Sequence, residues 1–180
     1  MFACEHEGVV PDLLCVAKGL TGGYLPLAAT IARPHIFETF LGRYQEMKHF
    51  FHGHTYTGNA LGCAAALANL ELFDKNEVIT GLGHKIETFS AALERLRQHS
   101  AVIEIRQKGL MVGIEIGDHG SPFVAEERQG AKFCQRIREK GIILRPLGDV
   151  VVLMPPLCAT AQELVNLVEI VKEELDGTLA

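Results

Sequence analysis

Lys18 is the residue of this 180-residue chain whose type and position most favour covalent chemistry. It closes the apolar run Leu13–Ala17 and is followed by Gly19, Gly22 and Gly23. A lysine at the carboxyl end of a buried strand lies where α/β proteins gather their reactive groups. Burial disfavours the ammonium form and leaves more of the neutral amine, which attacks carbonyl carbons. The pattern predicts a Schiff-base lysine, and a solvated lysine at a strand end is the alternative.

A second set of polar residues lies in the loop His49–Gly58. Hydroxyl and backbone N–H donors in such a loop can satisfy phosphate oxygens, and its glycines permit close approach of the backbone. The alternative for Thr55 is an ordinary residue at a helix entry. His52 and His54 are two positions apart, so on an extended segment both imidazoles point the same way and could bind a metal ion. Because no cysteine or carboxylate cluster accompanies them, we expect no metal.

The third candidate is Arg145, which lies between Leu144 and Pro146 in a short apolar segment. A guanidinium group binds a carboxylate through two parallel hydrogen bonds, so Arg145 could hold an acidic substrate. A surface arginine without such a role is the alternative.

These segments resemble the class III aminotransferases, which use pyridoxal 5'-phosphate. The resemblance is carried by Pro11–Thr30 around Lys18, by His52–Asn59 and by Leu144–Pro156. The most similar branch acts in biotin biosynthesis, which implies transamination of 8-amino-7-oxononanoate to 7,8-diaminononanoate with S-adenosylmethionine as the amino donor. Two alternatives stay open: a class III enzyme for ω-amino acids or ornithine, and a non-catalytic dimerisation module.

The resemblance also implies a role for each candidate. Lys18 is the catalytic residue and holds the cofactor covalently. Thr55 binds the cofactor phosphate, His54 adds a backbone contact, and in a homodimer this loop serves the neighbouring subunit's site. Gly53 approaches the substrate, and Arg145 recognises the carboxylate of the keto acid.

The resemblance covers the whole chain but only the C-terminal part, under half, of a typical family member. An aspartate for the pyridine nitrogen, a Gly-Ser phosphate turn and a stacking aromatic residue are expected before Met1. We therefore expect the 180 residues alone to catalyse poorly or not at all. Relatives can carry a tyrosine at the position of Val152, which leaves the fine substrate preference open.

Composition excludes several other classes. The net charge is −5 and the basic residues form no stripe, which argues against nucleic-acid binding. Hydrophobic residues make up 48% of the chain, yet no apolar run approaches the roughly 20 residues that a membrane span needs. The start lacks the pattern of a signal peptide, so we expect a cytoplasmic protein without membrane contact.

The elements that must position these residues follow from periodicity and turn signals. In the first half of the chain, spacing and capping patterns predict strands at Leu13–Ala17 and Leu25–Ala32, a short helix through Phe37 and Leu41, and helices starting at Asn59 and at Asn76. The next predicted elements are a hairpin of Ala101–Gln107 with Leu110–Ile116 about Lys108-Gly109 and a helix over about Ala125–Lys140 that ends at Gly141. Strands at Ile142–Arg145 and Val150–Met154 and a last helix capped by Thr160 and Glu163 complete the chain.

Two strands in residues 1–98 are too few for a free-standing parallel sheet. With the resemblance, this predicts an α/β fold class, the C-terminal part of a fold-type I pyridoxal-phosphate-dependent transferase. Residues 1–98 would be the end of the large cofactor-binding domain with its connector helix. Residues 99–180 would form a small α+β domain.

Overall fold

The chain divides into two compact units in the computed structural model, which describes residues 1–178. The first unit is Met1–Ile79 and the second begins at Thr80. The packing units thus separate before the helix that we expect to connect the domains. A domain boundary near residue 98 stays a prediction for the whole protein.

The first unit contains a two-stranded ribbon and three helices. Strands β1 and β2 pair antiparallel, with Leu13 opposite Ala32. A 3-10 turn at Lys18–Thr21 follows β1 directly. The bounds are β1 Leu13–Val16, β2 Ala29–Ala32, α1 Ala3–His6, α2 Pro34–Glu38 and α3 Ala60–Lys75.

The expected burial of these strands is wrong for this chain. Leu13 and Ile31 are each 55% exposed, because each strand has one antiparallel neighbour and the described residues add no third strand to the ribbon. Strand β2 also starts four residues later than predicted. The hydroxyl of Thr21 bonds the carbonyl oxygen and the N–H of Leu25, which diverts that backbone from the ladder.

Helix α3 begins as predicted, because the side chain of Asn59 accepts a hydrogen bond from the N–H of Gly62 at 2.9 Å. The prediction that Asn76 starts the next helix is wrong. Asn76 instead ends α3, with its N–H bonded to the carbonyl of Leu72. Glu77 follows with φ +47°, and the next helix starts only at Leu82.

The second unit is built on an antiparallel sheet with strand order β3-β4-β7-β6, and β5 pairs with the end of β4. The predicted hairpin is confirmed, with Lys108 opposite Met111 and Gly109 at φ +61°. The strand predicted at Ile142–Arg145 starts only at Arg145. The strands are β3 Val102–Lys108, β4 Met111–Asp118, β5 Ser121–Pro122, β6 Arg145–Leu147 and β7 Val150–Leu153.

Three helices complete this unit: α4 Leu82–Leu93, α5 Gln129–Arg136 and α6 Ala161–Thr178. The helix predicted over 125–140 is broken by Arg128 at φ +53°, but it ends at Gly141 as expected, after a 3-10 turn. The capping box before α6 is confirmed. Thr160 Oγ1 accepts from the N–H of Glu163 at 3.2 Å, and the Glu163 carboxylate accepts from the N–H of Thr160 at 2.7 Å.

The core of the second unit lies between the helices and one face of the sheet. Alternate residues of β4 and β7 are buried and stand opposite each other, as with Ile114 and Val151. Each such side chain contributes about 1.5–3 kcal/mol by leaving water. The largest fully buried side chains are Phe89, Leu93, Leu96, Ile114, Ile116, Phe133, Ile137, Leu153, Leu164 and Leu175. Within residues 1–178, no helix has the length and apolarity needed to cross a bilayer.

Candidate active site

The backbone around Lys18 forms a tight turn in which every carbonyl from Ala17 to Leu20 is bonded. The N–H of Leu20 donates to Ala17 at 2.8 Å, and the N–H of Gly23 donates to Lys18 at 3.1 Å. Gly22 and Gly23 have φ of +60° and +85°, a region that glycine enters without steric cost. The glycines that follow Lys18 are therefore the residues that let the chain reverse directly after it.

The side chain of Lys18 is exposed, so the predicted burial of this lysine is wrong for the chain as described. The ribbon of β1 and β2 supplies no cover. The Lys18 stem passes over Gly23, where an added Cβ would lie 3.7 Å from Lys18 Cε. Within residues 1–178, Lys18 Nζ has no hydrogen bond or ion pair. The amine is available for chemistry, but its environment here does not desolvate it.

Two residues that the sequence did not single out hold this turn in place. Thr21 is 1% exposed and bonds the backbone of Leu25. Asn69, from the third turn of α3, donates from Nδ2 to the carbonyls of Gly19 at 2.9 Å and Leu20 at 3.0 Å. The available signal was an asparagine in the middle of a helix, a position that this residue disfavours unless its amide finds a partner.

The loop before α3 is ordered by a small network centred on His54. Its N–H donates to Thr57 Oγ1 at 3.2 Å, and its carbonyl accepts from the N–H of Thr57 at 3.0 Å. Its Nδ1 accepts from the N–H of Tyr56 at 3.1 Å. Within the described chain, the hydroxyl and N–H of Thr55 take no hydrogen bond. Thr55 therefore offers two unused donors, whereas the amide of His54 is already engaged.

Gly53 and the two histidines complete the description of the loop. A Cβ added to Gly53 would meet nothing within 4 Å, so the backbone there is open to approach. The His52 ring lies 5.4 Å from the Phe50 ring, and the His54 ring lies 6.4 Å from the Tyr56 ring. In the part of the chain that the structure describes, no three potential ligands cluster as a metal site.

Arg145 is the first residue of β6, and its cross-strand partner in β7 is Val152. Both line an open groove of about 410 Å³ whose other walls are mainly apolar and include Ile143 and Met154. Among the described residues the guanidinium of Arg145, which is exposed, has no ion pair. An unpaired cation beside an apolar groove suits a ligand that has one carboxylate and an alkyl chain.

The turn between β6 and β7 packs directly on α5. The N–H of Gly130 donates to Asp149 Oδ1 at 2.7 Å. A Cβ added to Gly130 would lie 2.4 Å from the carbonyl oxygen of Gly148. Only glycine permits this backbone contact, which supports the two strands that carry Arg145 and its cross-strand partner.

The candidates belong to separate units. Lys18, Gly53, His54 and Thr55 lie in the first, and Arg145 lies in the second. Within residues 1–178 no hydrogen bond joins Lys18 to His54 or to Thr55.

An exposed lysine without a side-chain partner on a glycine turn after a strand, together with an antiparallel α+β unit, fits an α/β transferase that binds its cofactor through a lysine. The chain belongs to the class-III aminotransferase family, whose sequence model matches residues 1–175.

Particular relatives narrow this further. The adenosylmethionine-8-amino-7-oxononanoate aminotransferase of Nitratidesulfovibrio vulgaris is 52% identical over 175 residues, which are 96% of this chain and 32% of the relative. The crystal structure of the enzyme of the same name from Methanocaldococcus jannaschii superposes with a TM-score of 0.92 at 42% identity, covering 98% of this chain and 42% of that one. An ω-transaminase from Pseudomonas jessenii in complex with PMP gives 0.91 at 30% identity, covering 99% and 40%.

The chain thus spans about a third to two fifths of the length of these relatives. The comparisons confirm the family and the fold class expected from the sequence, part of a fold-type I transferase.

The described residues fit the cofactor that this family implies. Pyridoxal phosphate needs a primary amine, phosphate donors and backbone that can come close to it. Lys18 supplies an unpaired amine, and Thr55 supplies two unused donors. Added Cβ atoms at Gly19 and Gly53 would meet nothing within 4 Å, so the backbone beside each group is open.

Proposed function

We propose that the protein containing this chain is a pyridoxal-phosphate-dependent aminotransferase that moves an amino group from S-adenosylmethionine to 8-amino-7-oxononanoate, forming 7,8-diaminononanoate. The supporting observation is the unpaired Lys18 amine on its glycine turn. The N. vulgaris relative, 52% identical, carries the name of this activity.

Lys18 is the residue that holds the cofactor covalently, and Thr55 binds its phosphate through hydroxyl and N–H. Gly53 gives the substrate room beside the backbone. His54 takes part through its backbone only if its amide exchanges the bond to Thr57 for one to the phosphate. We also propose a homodimer in which Thr55 serves the neighbouring site. The cytoplasmic location expected from the sequence stays a prediction.

When bound, pyridoxal phosphate supplies an electron sink that stabilises negative charge on the reacting carbon. The task of Lys18 Nζ is proton transfer. Once free of the cofactor it acts first as a base toward the α-carbon of the amino donor and then as an acid. The same amine runs the second half-reaction in reverse, on the acceptor side. The tight turn serves this role because proton transfer needs Nζ within hydrogen-bond reach of the carbon.

Arg145 recognises the acceptor. The compound 8-amino-7-oxononanoate ends in a carboxylate and has an alkyl chain between that group and the ketone. The guanidinium fork suits the carboxylate, and apolar side chains such as Ile143 and Met154 suit the alkyl chain. Ornithine carries an ammonium group on the carbon next to its carboxylate, so that charge would lie against the apolar walls beside Arg145. In 8-amino-7-oxononanoate the amino group lies at the far end of the alkyl chain, which favours this substrate over ornithine.

Reductive labelling tests the cofactor role. The natural protein at full length is incubated with pyridoxal phosphate, reduced with borohydride and mapped by mass spectrometry. We expect the label on Lys18, far above that on Lys132, another exposed lysine without a side-chain partner among the described residues. Equal labelling of the two lysines contradicts the proposal and favours the non-catalytic dimerisation module.

Donor selectivity tests the reaction. The full-length protein loaded with pyridoxal phosphate is mixed with 8-amino-7-oxononanoate and either S-adenosylmethionine or ornithine. The amount of 7,8-diaminononanoate formed is then measured. We expect product with S-adenosylmethionine alone. Product with ornithine and none with S-adenosylmethionine assigns the protein to the other branch.

A further inference from the structure

The residue that stands out beyond the proposed site is Asn69. Its Nδ2 donates to the carbonyls of Gly19 at 2.9 Å and Leu20 at 3.0 Å, the two residues directly after Lys18. Both N–H groups of the side-chain amide therefore donate to the same turn. Among residues 1–178, no other side chain outside the turn donates to its carbonyls.

The oxygen of the same amide, Asn69 Oδ1, lies beside Gly22. A Cβ added to Gly22 would lie 3.3 Å from Asn69 Oδ1, which is tighter than ordinary contact. Asn69 and Gly22 are therefore matched in shape, and φ of +60° at Gly22 independently favours glycine. Two hydrogen bonds hold the turn against this amide, and the absence of a Cβ at Gly22 leaves room for its oxygen.

Helix α3 gives Asn69 a rigid base. Its first turn is closed by the Asn59 cap at 2.9 Å, and Gly62 and Ala66 on the same helix are buried. Strand β1, by contrast, is half exposed and ends two residues before Lys18. The position of Lys18 is thus defined from one side by a weakly covered strand and from the other by Asn69.

We propose that Asn69 is a positioning residue for Lys18, holding the turn so that the Lys18 Cα keeps one position through the catalytic cycle. The inference rests on the proposed function, because it assigns Asn69 to the chemistry of that lysine. Lys18 alternates between holding the cofactor and transferring protons, and both tasks need the same Cα position. An amide that bonds backbone carbonyls fixes the Cα while leaving the Lys18 side chain free to move.

Three variants of the full-length protein separate the options. Asn69→Asp keeps the shape but turns an oxygen toward two carbonyls. Asn69→Gln keeps the amide on a longer stem. Asn76→Asp makes the same chemical change at the C-terminal end of α3, on an exposed side chain away from the turn, and is the matched control.

The first readout needs no cofactor: hydrogen exchange of the amides of Gly22 and Gly23, which bond back to Gly19 and Lys18. We expect exchange there to rise about tenfold or more in Asn69→Asp, since two hydrogen bonds are lost. Asn69→Gln should rise less, and Asn76→Asp should match wild type. Unchanged exchange at both glycines in Asn69→Asp overturns the proposal.

The second readout is the rate at which borohydride traps pyridoxal phosphate on Lys18, relative to Lys132. We expect this relative trapping rate to fall about tenfold in Asn69→Asp and to recover in part in Asn69→Gln. In steady-state assays, kcat should change by a larger factor than KM. A fall in thermal stability with a normal trapping ratio shows a purely structural asparagine and overturns the inference. A wild-type protein that is not labelled at Lys18 refutes the proposed function itself, so the two failures are distinguishable.

Discussion

Replacing Gly130 with alanine is the perturbation whose size can be worked out most directly. The new Cβ would lie 2.4 Å from the carbonyl oxygen of Gly148 and 2.9 Å from the Cα of Asp149. Both are backbone atoms of the turn between β6 and β7, so no side-chain rotation relieves the clash. The turn must move away from α5 by roughly 1 Å to restore ordinary contact distances.

Two costs add up. Overpacking of this kind costs about 1–3 kcal/mol. The displaced turn also stretches the 2.7 Å bond from the Gly130 N–H to Asp149 Oδ1, which is worth about 0.5–1.5 kcal/mol. The free energy of unfolding should therefore fall by about 2–4 kcal/mol. Because the turn joins the strands of Arg145 and Val152, binding of a carboxylate acceptor should weaken as well.

Gly83→Ala is the matched control, since Gly83 is also the second residue of its helix. An added Cβ there meets nothing within 4 Å, so alanine should stabilise the protein by about 0.5 kcal/mol through the loss of unfolded-state freedom. Urea unfolding of the two variants beside wild type measures both effects. If Gly130→Ala unfolds within about 0.5 kcal/mol of wild type, the reasoning about this backbone contact is refuted.

Two further predictions concern the second unit. Arg145→Lys should raise KM for 8-amino-7-oxononanoate about 10- to 100-fold, because one charge-assisted bond is lost. Arg138→Lys, a change at an exposed arginine elsewhere, should leave this KM unchanged. An equal rise in KM for a substrate ester that lacks the carboxylate would refute the contact between Arg145 and the carboxylate. The backbone hydrogen bond from Thr160, aided by its hydroxyl, lowers the pKa of Glu163. Its contribution to stability is thus present above the ordinary carboxyl pKa and is lost as pH falls through the lowered value. Glu163→Gln should show a shallower decline of Tm between pH 5 and pH 3, and parallel curves would contradict this assignment.

Features set by neighbouring residues were readable from the sequence. The helix start at Asn59, the Lys108-Gly109 hairpin and the capping box of Thr160 and Glu163 all appear as predicted. Each depends on contacts within about four residues, where side-chain type and backbone preference decide the outcome.

Two other predictions were wrong, one for a local reason and one because it depended on distant partners. The helix expected from Asn76 starts only at Leu82, because Asn76 ends α3 and Glu77 adopts a left-handed conformation that interrupts the helical backbone. Lys18 is exposed rather than buried, because burial depends on what covers a strand and not on its apolar letters. The apolar run before Lys18 does not indicate which elements of the folded protein pack against it.

The sequence alone determined the chemistry on offer: a lysine before glycines, a threonine loop and an arginine in an apolar segment, together with the family that they indicate. Tertiary structure decided how these groups are held. The bonds from Asn69 to Gly19 and Leu20 join residues about fifty positions apart, and the contact of Gly130 with Gly148 joins two segments that no local pattern connects. Such contacts form only when separate elements pack, because their geometry is a property of the folded chain and not of any stretch of it.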